Sequence, residues 1–252
     1  MSLARGPAGA EAGVPIGTEY LAVSERVGQF GKDRLRRREH DRLVHVLTGG
    51  PTASFTVSGQ PGDHRRRPGL ESARELVEWA TEAGDGHVDI LINNAGVAVL
   101  GPSSAATEAE FDETFALNVK VPFFLVASLA LAMAERGWGS VVNVSTMVAS
   151  FGQAGMALYG ASRAALELLT KAWAAEYGGR GVRVNAVAPG PTRTALMESI
   201  PAEMVNQLAA LAPAGRVAEP EELAAAIVFL ASDDASFVQG VTLAVDGGRV
   251  AT

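Results

Sequence analysis

The chain has 252 residues, of which 48% are hydrophobic and none is cysteine, and its formal net charge is −7 at pH 7. This length fits one large domain, or one domain with an extension. The lack of cysteine excludes disulfide bonds and thiolate metal sites, and it favours a cytoplasmic protein.

The first 70 residues differ from the rest in charge. They hold 11 of the 21 Lys and Arg residues but only 7 of the 28 Asp and Glu residues. The basic runs at 36–38 and 65–67 are short and lack interleaved aromatic residues, so we expect no nucleic-acid partner. We predict that residues 1–42 form an atypical extension without fixed structure, and that residues 43–252 form the main domain.

The opening residues of the chain lack the apolar core of a signal peptide. The longest apolar run, 121–133, has 13 residues and is too short to span a bilayer, so it predicts a buried core helix. We therefore expect no membrane partner.

Helices and strands alternate along the sequence. A strand-like run at 43–48 is followed by Gly49 and Gly50. The remaining predicted elements are helix 71–83, strand 88–92, helix 108–135, strand 140–145, helix 157–177, strand 182–187, a lid-like segment 194–212, helix 220–231 and strand 241–245. This alternation predicts an α/β fold with a doubly wound parallel sheet and right-handed crossovers.

Polar residues stand at or near the ends of these elements. The run Asn93-Asn94-Ala95-Gly96 follows a buried strand, and it is either an ordinary turn or a segment that faces a ligand. Asn118 lies within the long helix, where it could simply bond backbone. Ser145 and Thr146 end the apolar run SVVNVST, and the Thr146 hydroxyl could hold a substrate oxygen.

Tyr159 and Arg163 are four residues apart in a predicted helix, so both side chains project from one face. A fixed cation beside a phenol favours the phenolate, which makes Tyr159 a candidate proton donor and acceptor. Taken alone, such a tyrosine is more often a half-buried packing residue.

Taken in order and spacing, these motifs resemble the short-chain dehydrogenase/reductase family from about residue 71 to residue 252. Thr146 lies 13 residues before Tyr159 and 28 after Asn118, and Pro189-Gly190 is followed by Thr194. The resemblance implies a Rossmann-like fold, NAD or NADP as cofactor, and a homo-oligomer, either a dimer or a tetramer. It also implies catalytic and cofactor-binding residues. The catalytic residues are Asn118, Thr146, Tyr159 and Arg163; the cofactor-binding residues are Asn94, Ala95, Gly96, Tyr159, Arg163, Pro189, Gly190 and Thr194; no metal is implied.

Two residues depart from the family's pattern within these motifs. Arg163 stands where the family has lysine, and Thr146 stands where it has serine. Threonine keeps the hydroxyl. Arginine keeps the charge but has a planar fork that does not readily lose a proton, which weakens the expected contact with the nicotinamide ribose.

The larger departure is upstream, where the family has a glycine-rich turn that approaches the cofactor pyrophosphate. Ala53 and Phe55 take the places of the later glycines. Only 40 residues separate Thr48 from Asp89, which leaves room for one helical crossover. We therefore predict a truncated or aberrant N-terminal part of the sheet. Missing upstream strands would leave strand 88–92 as an exposed edge.

The sequence thus predicts an NAD(P)-dependent oxidoreductase that acts on a small carbonyl or alcohol substrate. The alternative is a non-catalytic homologue that serves as an oligomeric binding or assembly module. Affinity for the cofactor distinguishes the two.

Overall fold

The computed structural model describes residues 43–48, 53–58, 65–68, 73–84, 86–194, 197 and 200–252. The predicted extension over residues 1–42 lies outside these ranges, as do Gly49 and Gly50 and the predicted start of the first helix at Glu71. Parts of the predicted lid-like segment, 195–196 and 198–199, also lie outside them.

The described residues form one sheet of seven strands. The strands are β1 Leu43–Thr48, β2 Ala53–Ser58, β3 Arg65–Pro68, β4 Ile90–Asn93, β5 Gly139–Val144, β6 Val182–Pro189 and β7 Thr242–Val245. Their order across the sheet is β3-β2-β1-β4-β5-β6-β7. Strands β1, β4, β5, β6 and β7 are parallel, which confirms the predicted α/β fold.

The prediction of an exposed edge at strand 88–92 is wrong. Strand β1 pairs in parallel with β4, with Leu43 opposite Ile90 and Val46 opposite Asn93. Strand β2 then runs antiparallel to β1, and β3 runs antiparallel to β2. Antiparallel neighbours need only a short turn, whereas parallel neighbours need a crossover of a dozen or more residues. The short upstream segment therefore adds three strands rather than leaving β4 uncovered.

Six α-helices are present in the described residues. They are α1 Ala73–Ala83, α2 Glu108–Phe115, α3 Val121–Arg136, α4 Ala157–Tyr177, α5 Ala202–Ala210 and α6 Pro220–Ala231. Helices α1, α3 and α4 pack on one side of the sheet, and α6 packs on the other. Successive strand residues such as Leu91 and Ile92 therefore point into different cores, and both are buried. This two-sided cover explains the apolar strands.

The long helix predicted over 108–135 is continuous but contains a π-helical turn, Ala116–Lys120, between α2 and α3. It begins with a capping box in which the Thr107 side chain accepts from the Glu110 N–H and the Glu110 carboxylate accepts from the Thr107 N–H. It ends at Gly137, whose φ of 77° is left-handed. The π turn places Asn118 in the interior.

Helix α3 is only partly the buried core helix that the apolar run predicts. Seven of its residues are buried, but Phe123, Phe124 and Leu131 are exposed on the other side. By length and composition alone, the segment Glu108–Arg136 could cross a membrane. A core helix passes the same test, and the inner side of α3 packs against α1 and the sheet.

Candidate active site

The polar residues selected from the sequence follow neighbouring strands at one edge of the sheet. Asn94 follows β4, Thr146 comes just after β5, and Gly190 follows β6. Parallel strands have their carboxyl ends at the same edge, so these residues share it. The strand order reverses between β1 and β4, and the crevice beside such a reversal is where α/β sheets usually bind ligands.

Asn118 is fully buried and connects the loop after β4 to two helices. Its Nδ2 donates to the Val97 carbonyl oxygen at 2.8 Å and to Ser162 Oγ at 2.9 Å. Its Oδ1 accepts from the Val97 N–H at 2.9 Å. Asn118 therefore bonds backbone, but the backbone of the loop rather than of its own helix. It fixes that loop against α4.

Thr146 is nearly buried at the end of β5, and Ser145 anchors the chain just before it. The Ser145 N–H donates to the Val187 carbonyl oxygen at 2.7 Å, and Ser145 Oγ donates to Glu167 Oε1 at 2.7 Å. Burial raises the pKa of the Glu167 carboxyl above its ordinary value, while Ser145 and Lys171 partly oppose this. The strand end is thus tied to both β6 and α4.

Tyr159 and Arg163 lie one turn apart on α4, as the sequence predicts. Cζ of Arg163 is 5.6 Å from the centre of the Tyr159 ring, which is within the range of a cation–aromatic interaction. Tyr159 is half-buried, whereas Arg163 is completely enclosed. A positive charge therefore lies directly beside the phenol.

The Arg163 guanidinium joins the ends of two strands. Its Nη1 donates to the Val144 carbonyl oxygen at 3.0 Å, and both Nη atoms approach the Ala95 carbonyl oxygen at 3.5 Å. The guanidinium lies against Gly96, where any Cβ would overlap Nη2. The glycine of the Asn93-Asn94-Ala95-Gly96 motif thus provides the space that this arginine fills.

The turn after β6 is held against β7. The Gly190 N–H donates to the Val245 carbonyl oxygen at 3.0 Å, and a Cβ on Gly190 would be 2.7 Å from Cα of Asp246. Only glycine allows this approach. Thr194 is buried, and its Oγ1 accepts from the Met197 N–H at 3.5 Å.

The structure brings most of the predicted site residues together. Asn118 and Arg163 both hold the loop of Asn94, Ala95 and Gly96, and Arg163 also touches Tyr159. Thr146 is tied to the same helix through Ser145. Pro189, Gly190 and Thr194 share the edge, but the contacts of Gly190 run to β7 rather than to Tyr159.

Sequence reasoning missed Ser162 and Glu167. Glu167 continues the four-residue spacing of Tyr159 and Arg163, and that periodicity is the signal that could have found it. The contact of Asn118 with Ser162 joins segments 44 residues apart, for which a single sequence holds no signal. Among the described residues, no group of three or more His, Asp or Glu side chains could hold a metal ion.

Comparisons with known proteins agree with this architecture. The family described as enoyl-(acyl carrier protein) reductase matches residues 69–249. The chain is 44% identical over 182 residues to 3alpha-hydroxysteroid dehydrogenase of Mediterraneibacter gnavus, covering 71% of this chain and 73% of that protein. It is 37% identical over 244 residues to 3-oxoacyl-(acyl-carrier-protein) reductase FabG of Thermotoga maritima, covering 96% and 95%.

A solved structure gives the same result. Gluconate 5-dehydrogenase of Burkholderia cenocepacia, in complex with NADP and tartrate, aligns with a TM-score of 0.67 and 31% identity over 71% of each chain. The chain belongs to the short-chain dehydrogenase/reductase family, which confirms the resemblance and its Rossmann-like fold. The relatives are dehydrogenases and reductases, so this is a family of oxidoreductases.

Proposed function

We propose that the chain is an oxidoreductase that uses NAD or NADP to interconvert a carbonyl and a secondary alcohol by hydride transfer. The observation that carries this proposal is the position of Tyr159. It is half-buried at the edge where β4 and β5 end, with the Arg163 cation 5.6 Å from its ring. A phenol held beside a cation suits proton exchange with a reacting oxygen.

The described residues at this edge fit the nicotinamide end of such a cofactor. The loop of Asn94, Ala95 and Gly96 follows β4 and the turn of Pro189 and Gly190 lies at the end of β6, so their backbone groups are the candidates to meet it. Thr194 is buried in the segment that follows this turn, and its hydroxyl, which accepts from the Met197 N–H, is the one we assign to the cofactor amide. When bound, the nicotinamide supplies or accepts the hydride.

The chain's own residues then handle the proton and the developing charge. Tyr159 donates a proton to the carbonyl oxygen during reduction and takes it back during oxidation. The Thr146 hydroxyl donates a hydrogen bond to the same oxygen, where negative charge develops. Asn118 fixes the loop after β4 through both backbone groups of Val97.

Arg163 has a different task from the family's lysine in this proposal. Its guanidinium is bound to the carbonyl oxygens of Val144 and Ala95, and a contact with the cofactor ribose would require it to leave them. We therefore assign to Arg163 the support of the cofactor-facing loop through Ala95, with its charge held 5.6 Å from the Tyr159 ring.

The segment beyond Thr194 supports a neutral or hydrophobic substrate. Helix α5 has the sequence AEMVNQLAA, and Met204 and Leu211 near it are exposed. The relatives act on a hydroxysteroid, a 3-oxoacyl carrier protein and gluconate by their names, so the family tie alone does not choose among these classes.

The first test is cofactor binding followed by turnover. The protein is titrated with NADPH and NADH by the change in nucleotide fluorescence, then assayed at 340 nm with small ketones and β-keto esters. Saturable micromolar binding is expected. Tyr159→Phe should lower turnover about a hundredfold or more and leave the fold intact. Tyr177→Phe, at the far end of the same helix, is the control and should retain activity; persistent turnover in Tyr159→Phe would overturn the assignment.

The non-catalytic alternative makes the opposite prediction. An assembly module would bind neither nucleotide but would still self-associate. The exposed apolar side of α3, with Phe123, Phe124 and Leu131, together with Leu168 on α4, supports a homo-oligomer under either proposal. Sedimentation analysis should show a dimer or tetramer, and a monomer at micromolar concentration would contradict it.

A further inference from the structure

Ser145 is held from two directions immediately before Thr146. Its N–H donates to Val187 of β6 at 2.7 Å, and its hydroxyl donates to Glu167 on α4 at 2.7 Å. The Arg163 carbonyl oxygen is also near this hydroxyl, at 3.4 Å. Ser145 has only one hydroxyl proton to donate. The Glu167 carboxylate is closer than the Arg163 carbonyl oxygen and is the stronger acceptor, so the hydrogen bond goes to Glu167. Glu167 therefore determines the direction of the Ser145 hydroxyl.

The chain beyond Thr146 is fixed against the same helix. The short helical turn Met147–Ala149 packs on α4 so closely that a Cβ on Gly160 would lie 3.1 Å from the Val148 carbonyl oxygen. Thr146 thus lies between two points of attachment to α4, one at Glu167 and one at Gly160. Tyr159 is on that helix as well, so these attachments set the position of Thr146 relative to Tyr159.

Glu167 is too far from Tyr159 to join the reaction itself. Glu167 lies eight positions after Tyr159, which is a rise of about 12 Å along α4. A half-buried carboxylate also loses hydration, which raises its pKa. The hydrogen bond from Ser145 replaces part of the hydration that this carboxylate loses, so the pair is held together.

We propose that Glu167 is a positioning residue, which acts through Ser145 to hold the Thr146 hydroxyl where the substrate oxygen binds. This inference rests on the proposed function, because Thr146 has a role only if a carbonyl or alcohol is bound there. A displacement of an ångström at such a group is enough to slow a reaction greatly. In this proposal Glu167 has no part in the proton transfer at Tyr159.

The test uses Glu167→Ala, Glu167→Gln, Ser145→Ala and the double variant Glu167→Ala/Ser145→Ala. Glu176→Ala, an exposed glutamate of the same helix, is the control. Assayed with NADPH and the best ketone of the panel, Glu167→Ala and Ser145→Ala should each lower kcat about tenfold with the KM for NADPH unchanged. Glu167→Gln should restore most of the loss because its amide oxygen still accepts. The double variant should be no worse than either single one.

A second readout needs no substrate. Amide hydrogen exchange in the peptide that contains residues 144–149 should speed up about tenfold in Glu167→Ala and stay at the wild-type rate in Glu176→Ala. Unchanged exchange together with unchanged kcat would overturn the inference, as would additive losses in the double variant. If Tyr159→Phe retains turnover, the proposed function fails instead. If Tyr159→Phe is inactive while Glu167→Ala is normal, only the present inference fails.

Discussion

A Cβ atom on Gly96 would overlap the guanidinium of Arg163, so these two residues fit each other only as a pair. The space that glycine leaves at the end of the loop after β4 is filled by the largest fully buried side chain of the described residues. Through this fit, the arginine that stands in place of the family's lysine is coupled to the shape of the loop after β4.

Gly96→Ala should therefore destabilise the protein by about 1–3 kcal/mol, as expected when a methyl group is forced into a packed interior. Urea unfolding gives the free energy. Gly152→Ala is the matched control, because no atom lies within 4 Å of its added Cβ. In an Arg163→Lys background the cost at Gly96 should shrink, since a lysine side chain is narrower than a guanidinium. If Gly96→Ala lowered the free energy of unfolding equally in wild type and in Arg163→Lys, the proposed fit of Gly96 to Arg163 would be contradicted.

Asn118→Ala should cost about 2 kcal/mol or more. It removes the partner of both backbone groups of half-buried Val97 and a partner of the buried Ser162 hydroxyl, and an unpaired buried polar group costs about 1–3 kcal/mol. The measurement is again urea unfolding, with exposed Asn206→Ala as the control. Amide exchange at Val97 should also speed up. A stability equal to that of the control variant would show that Asn118 does not hold the loop.

Two glycines with similar backbone conformations should respond differently to alanine. Gly137 has φ 77° and Gly181 has φ 83°, so alanine at either incurs the left-handed penalty of about 1–2 kcal/mol. No atom lies near a Cβ on Gly137, but a Cβ on Gly181 would overlap the Gly137 carbonyl oxygen. The thermal midpoint of Gly181→Ala should therefore fall well below that of Gly137→Ala. Equal thermal midpoints of the two variants would mean that the backbone around Gly181 shifts to accommodate the added Cβ without cost.

The ion pair of Arg216 and Glu222 should give stability that depends on pH. The guanidinium bonds both carboxylate oxygens at 2.7 Å and holds the pKa of Glu222 at about 2, below its ordinary 4.5. A lowered pKa means that the stabilisation is present above about 4.5 and is lost as the pH falls towards 2. Both groups are exposed, so the effect is small and salt weakens it.

The stability of Glu222→Gln, compared with that of wild type across pH, checks the direction of this pH dependence. The stability difference should be present at pH 7, fade between about pH 4.5 and 2, and decrease in high salt. Glu203→Gln, at an exposed position of α5, is the control variant. A difference that grows on acidification would contradict the assignment.

The sequence predicts the fold well from β4 onward. Apolar strand runs such as SVVNV and the periodicity of α4 are local signals, and the predicted elements lie within a few residues of those observed. The error upstream came from counting crossovers as if every strand were parallel. Antiparallel pairing of β2 with β1 depends on which segments meet in space, and local sequence does not specify it.

The sequence predicts those site residues whose separation is fixed along one helix or within one motif. Tyr159 and Arg163 are such a pair, and their four-residue separation places them together. The hydrogen-bond acceptors of the Arg163 guanidinium could not be predicted, because they are the backbone carbonyl oxygens of Val144 and Ala95. Every residue has a backbone carbonyl, so side-chain identity cannot reveal which one is bound.

The π turn at Ala116–Lys120 holds one residue more than an α-helical turn. Deletion of one residue there would leave an ordinary α-helical turn, so α2 and α3 would keep nearly the same phase and α3 its seven buried side chains. The residues of the turn itself would move by about 100° around the helix axis, and Asn118 would leave its position in the interior. The extra residue therefore serves the bonds of Asn118 to Val97 and Ser162 rather than the packing of α3.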